Sequence, residues 1–131
     1  DEFESGLRAI LNYGHTFGHA IEALGEYKER QFHGQAVAIG MCCAADLAVD
    51  MGILDRPAAH RIEALIVKAG LPTHVPADLE PAAIYDKMFS DKKVSGGQVR
   101  FVLPKKIGEV ELVGNVAADK VLTVLEARQT G

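Results

Sequence analysis

His33-Gly34-Gln35-Ala36-Val37-Ala38-Ile39-Gly40-Met41-Cys42-Cys43-Ala44-Ala45 is the stretch that decides the fold. Its apolar residues recur on every side of a helix rather than along one stripe. A helix of that kind must be covered all round, so residues 33–51 read as a central, buried helix that Gly52 ends. The apolar run over residues 36–45 is about half of the roughly 20 residues a membrane span needs. Cys42 and Cys43 are the two cysteines of the chain. Neighbours in sequence rarely pair with each other, so both read as small buried side chains of a reducing compartment.

Working outward, residues 5–24 carry Leu7, Ile10, Leu11, Phe17, Ile21 and Leu24 at a helical rhythm, which Gly14 and Gly18 interrupt. Residues 25–31 read as a charged surface loop. A third helix begins near Asp55 with Pro57 in its first turn, its stripe made by Ala58, Ile62, Leu65, Ile66 and Ala69. Gly70 and Pro72 end it. Residues 73–79 read as a loop. Pro81 opens a fourth helix with Ile84, Tyr85, Met88 and Phe89 on one face. The period then changes: residues 99–103 and 109–113 favour strands, joined over 104–108 as a hairpin. A last helix over about 117–128 turns Ala118, Val121, Leu122 and Leu125 inward. The expected fold is mainly α with one small β-hairpin, and residues 1–131 form one domain.

The 131 residues are 48% hydrophobic, with few aromatics and no Trp, so the core is expected to be aliphatic. The net charge of −4 and the lack of a basic block argue against nucleic acid as a partner. No signal peptide or membrane segment is visible, and a soluble cytoplasmic protein is the expectation. The chain has no initiator Met, and it reads as a fragment of a longer protein.

Three of the five histidines lie close together: His15 and His19 in Asn12-Tyr13-Gly14-His15-Thr16-Phe17-Gly18-His19-Ala20-Ile21-Glu22, and then His33. Positions i and i+4 share a helix face, and that spacing occurs in helical zinc sites that add a distant third ligand. Thr16 stands where a zincin-type protease has its Glu, so water activation in that manner is not expected. Arg8 and Asn12 fall on the same helical face. A guanidinium fork and an amide would suit an anionic, hydroxylated substrate. His60 and His74 lack such company and read as solvated. At this level two readings stay open: a metal- or substrate-binding site, or a non-catalytic helical interaction module with structural histidines.

Taken in order, these motifs resemble the 3-dehydroquinate synthase family. The resemblance rests on Glu4-Ser5-Gly6-Leu7-Arg8, the Asn12 to Glu22 run, His33-Gly34-Gln35-Ala36-Val37, Ala69-Gly70-Leu71-Pro72, Asp91-Lys92-Lys93, and Val99 to Pro104 with Ile107-Gly108. It implies the helical C-terminal domain of a lyase of the shikimate pathway. That enzyme converts 3-deoxy-arabino-heptulosonate 7-phosphate to 3-dehydroquinate and phosphate, with catalytic NAD and a divalent metal, usually zinc. The resemblance implies His15 and His33 as metal ligands. It makes His19 a catalytic residue contacting substrate near its phosphate, and Glu4 an active-site acid. Arg8, Asn12 and Lys92 become substrate-binding residues. It further implies a phosphorylated sugar acid as substrate and a homodimer for the intact enzyme.

Two departures stand out. Gln35 replaces the usual Glu of the family's His-Gly-Glu, which is expected to alter the hydrogen bonding that orients His33. The family's third metal ligand and its N-terminal NAD-binding domain match no position of this chain, and Gly96-Gly97 lacks a dinucleotide context. The chain alone is therefore expected to be inactive. A sister sugar-phosphate cyclase is the nearest competing reading. A metal-dependent alcohol dehydrogenase is more distant, since Arg8 and Asn12 point to an acidic, phosphorylated substrate.

Overall fold

The computed structural model describes residues 15–25, 30–94, 101–106, 109–114 and 116–130. Among these residues five helices and one hairpin follow in the order α1 (His15–Gly25), α2 (Arg30–Asp50), α3 (Arg56–Lys68), α4 (Pro81–Val94), β1 (Phe101–Lys106), β2 (Glu109–Val113) and α5 (Ala118–Thr130). The mainly helical expectation holds, as does the hairpin. Among the described residues no helix is long and apolar enough to cross a membrane.

Helix α2 is the axis of the packing. It touches α1, β1, α3 and α5, and Ala36, Ala38, Ile39, Cys42, Cys43, Ala44, Ala45, Leu47 and Ala48 are all buried along it. Small side chains dominate this list because neighbours press on every side, so their backbones come close. The larger volumes come from those neighbours: Phe17 and Ile21 of α1, Ile84 of α4, Leu103 of β1, and Val121 and Leu125 of α5 are fully enclosed. Each such aliphatic side chain contributes about 1.5–3 kcal/mol relative to exposure. Phe17 also meets Phe101 of the hairpin, with ring centroids 5.4 Å apart.

Helix ends follow the local chemistry of the sequence. The Asp55 carboxylate accepts from the Ala58 N–H at 2.9 Å and caps α3. At its other end the Gly70 N–H donates to the Val67 carbonyl and the Leu71 N–H to that of Ile66. Gly70 takes φ +80 to make that turn. Gly52, at φ +75, closes α2 in the same way. The two strands pair antiparallel, and a bulge between Pro104 and Lys106 extends β1 into the stretch expected to be the turn. Proline lacks an amide hydrogen, and a two-stranded sheet tolerates it because both strands are edges.

The far end of α2 is tied by Arg128 of α5. Its Nε and Nη2 donate to the two oxygens of Asp46, both at 2.8 Å, while Nη1 lies 3.0 Å from Glu63 of α3 and 3.4 Å from the Thr73 carbonyl. Burial pushes the Asp46 carboxyl above its ordinary value against the pull of Arg128. Burial alone would lower Arg128, but Asp46 and Glu63 hold it above its usual range. The Gln129 amide donates to the Pro76 and Leu79 carbonyls, so α5 also pins the loop over residues 73–79.

Several sequence expectations need correction. Helix α2 includes Arg30 and Gln31, which read as loop, because the apolar helix continues one turn further back. Leu65 is 58% exposed and Phe89 46%; on α3 the buried residues are Ala59, Ile62 and Ile66, with Ala58 partly buried against the core. On α5, Ala118 is exposed and Leu122 half-buried, with Val124 turned inward instead. The expected helical segment before residue 15 lies outside the described residues.

Both cysteines are free and buried. Burial pushes the Cys42 thiol up to about 12 despite the nearby Arg128, and pushes Cys43 higher still. A thiol that stays protonated is a poor nucleophile. In the native chain at pH 8, a thiol-specific disulfide reagent is expected to leave both cysteines unmodified over minutes, and to release two equivalents at once in guanidinium. Rapid native labelling would contradict the enclosed core described here.

Candidate functional site

Helix α1 is two-faced. Phe17, Ala20 and Ile21 enter the core, whereas His19 is exposed and Glu22 half-buried. Residues 15, 19 and 22 stand four and three apart, which places them on one helix face. That face is aligned with the first turns of α2 by an unusually close approach. A Cβ built on Gly18 would lie 3.0 Å from Val37 Cα and 3.1 Å from the Ala36 carbonyl oxygen. Such a contact would be tighter than ordinary van der Waals packing, and glycine avoids it by having no Cβ.

The consequence is a polar cluster across two helices. Nδ1 of His33 lies 2.8 Å from Oε1 of Glu22. An ionised carboxylate only accepts, so the imidazole donates. The His19 and His33 rings are neighbours, with centroids 6.3 Å apart and planes tilted by 31°. The side chains of His33 and Glu22 are 52% and 33% exposed, so the cluster opens to solvent. An ion pair as exposed as this contributes only about 0–1 kcal/mol to stability.

The other expected site residues fall as follows. His15 belongs to α1 by its backbone, one turn before His19; its side chain lies outside the described residues. The expected convergence of His15 with His33 is therefore not on view, and the contacts described for His33 are with Glu22 and His19. Lys92 lies in the last turn of α4, a helix that packs against α1, and its side chain is likewise outside the described residues. Glu4, Arg8 and Asn12 lie outside them altogether. Among the described residues no three His, Cys, Asp or Glu side chains group as a metal centre. Gln35 is half-buried on α2, but the hydrogen bond described at His33 Nδ1 is donated to Glu22. His60 is exposed. His74 is exposed too, with Nδ1 3.0 Å from the Thr73 hydroxyl.

Glu22 is the residue that the sequence reading did not assign. The signal for it was present, since it sits three positions after His19 on the same face. Spacing on one helix, however, says nothing of what the next helix brings opposite.

The fold is one shared with sugar-phosphate cyclases. The 2-deoxy-scyllo-inosose synthase solved with carbaglucose-6-phosphate, NAD+ and Co2+ superposes with TM-score 0.74 at 25% identity, over 88% of this chain and 32% of that one. The 2-epi-5-epi-valiolone synthase of Streptomyces hygroscopicus subsp. jinggangensis, solved with NAD+ and Zn2+, shares the fold with TM-score 0.76 at 24% identity, over 88% of this chain and 31% of that one. Residues 1–94 match the family described as 3-dehydroquinate synthase C-terminal, and the chain belongs to that family. A 3-dehydroquinate synthase of Picosynechococcus sp. is 54% identical over 125 residues, covering 95% of this chain and 34% of that protein. The chain thus spans about a third of the length of the curated relatives it matches.

Replacing Gly18 by Ala drives a methyl group against backbone, which cannot rotate aside. We expect Gly18→Ala to lower stability by roughly 1–3 kcal/mol, read from urea unfolding. The same change should part the His33–Glu22 pair, read as a shift of the His33 ring resonances. An unchanged unfolding midpoint would show that the two helices do not touch as described.

Proposed function

We propose that this chain is the helical, metal- and substrate-binding part of a 3-dehydroquinate synthase, a lyase that converts 3-deoxy-arabino-heptulosonate 7-phosphate to 3-dehydroquinate and phosphate. The observation that carries the reading is the carboxylate-held His33 beside His19, in a chain of this family. An imidazole whose one nitrogen donates to a carboxylate is the usual form of a metal-bound histidine, so the residues present fit a divalent metal. His33 and His15 would hold it, with a third ligand that matches no position of this chain. Bound metal would polarise substrate hydroxyls, and bound NAD would supply transient oxidation of one of them.

The chain's own residues orient and bind. His19, exposed beside His33, contacts the substrate near its phosphate. Arg8 grips the carboxylate, Asn12 and Lys92 bind further oxygens, and Glu4 serves as an acid at the hydroxyl end. Held in this way, the substrate presents its reacting carbons in one orientation. The partner is a phosphorylated sugar acid rather than nucleic acid or membrane, the intact enzyme is a homodimer, and it works in the cytoplasm. The sister reading, a cyclase forming an inosose or valiolone, draws on the two solved structures that share the fold. Those are about half as similar in sequence as the curated dehydroquinate synthase relative.

Calorimetric titration with zinc should show uptake by the chain, and most of that heat should vanish in His15→Ala and in His33→Ala. Equal uptake by all three proteins would remove the metal reading and leave a structural helical module. The 131 residues with NAD, zinc and substrate should release no phosphate above the blank. Steady turnover would show that every catalytic group lies within this chain.

A further inference from the structure

We propose that Glu22 is a positioning residue for His33: its carboxylate keeps the imidazole proton on Nδ1 and so places the ring's lone pair on Nε2, the nitrogen offered to a metal. The proposal rests on the reading of His33 as a metal ligand. It adds to that reading a residue on a different helix, one that acts through the His33 ring.

Three observations lead to it. The first is the contact itself, Nδ1 to Oε1 at 2.8 Å, between residues eleven positions apart. The partner's chemistry decides the tautomer, because a carboxylate can only accept. The second is exposure. With His33 half open to solvent and Glu22 a third open, water competes for either ring nitrogen, and an imidazole without a fixed partner would populate both tautomers. A pair this exposed adds little to folding, so its effect falls on the ring's state. The third is the placement of the partner. Glu22 comes from α1, the helix that also bears His19, and the Gly18 contact sets the two helices at that distance. One rigid junction therefore determines where the His19 ring lies and which nitrogen His33 presents. Gln35, on His33's own helix, is neutral, whereas Glu22 from α1 brings a carboxylate to this ring.

The test uses the 131-residue chain labelled with nitrogen-15 at histidine, at pH 8 and free of metal. Long-range nitrogen–proton correlation spectra read the tautomer of His33 directly. Glu22→Gln keeps shape and length while ending the charge and the strict acceptor role, and matching circular dichroism and melting curves establish that it folds. Zinc(II) affinity is then measured by competition with a chelating dye for the wild type, Glu22→Gln, His33→Ala and the double variant.

The expected result is an Nδ1–H tautomer at His33 that Glu22→Gln loses, with zinc binding weaker by about 10–100-fold. Adding Glu22→Gln to His33→Ala should weaken binding no further, because the carboxylate acts through the ring. Three results would overturn the proposal: an Nε2–H tautomer in the wild type, wild-type zinc affinity in a folded Glu22→Gln, or the same loss from Glu22→Gln with and without His33. If the tautomer is Nδ1–H but His33→Ala leaves zinc binding intact, the metal reading of His33 falls and takes the positioning role with it. That outcome is separate from a failure of Glu22 alone.

Discussion

The approach of α1 to α2 at Gly18 sets how His19, Glu22 and His33 stand relative to one another. Backbone meets backbone there, within 3.0–3.1 Å of where a side chain would begin. On the inner side, that contact lets Phe17 and Ile21 reach the same core as Ala36 and Ile39. On the outer side it brings the His19–Glu22 face of α1 against His33. Core and site are two sides of one helix junction, so a change made for packing is felt at the imidazoles.

Helix α2 carries this junction at one end and the Arg128 clamp at the other. The two ends use different physics. Near Gly18 the contact is steric and local, and it depends on the absence of atoms. At Asp46 it is ionic and long-range in sequence, with Arg128 bridging α2, α3 and the loop over 73–79. A guanidinium suits that role because its fork satisfies two carboxylates and a carbonyl at once. Between the two ends, the run of small buried residues, including the two inert thiols, gives the neighbouring elements a smooth surface to pack on.

The polar cluster is open to solvent, unlike the core beneath it. Its polar side chains stand on helices, and helices hold a ring more firmly than a loop would. The cluster spans two such helices, so its precision is inherited from the packing below.

Much of the fold was legible from local rules. Gly52 and Gly70 mark helix ends because they alone adopt positive φ cheaply, Asp55 with Pro57 marks a start, and the all-round apolar run of residues 36–45 marks the centre. Periodicity was weaker at telling which stripe residues are covered: Leu65 and Phe89 carry the right spacing, yet among the described residues both stay exposed. The histidine motifs likewise pointed to the family. Glu22, by contrast, was read as part of a motif and given no task. A sequence states what stands beside a residue on its own helix, through spacing of three and four. The partner across the gap depends on how two helices approach, and here that rests on one missing side chain. The pairing of Glu22 with His33 therefore belongs to the assembled molecule.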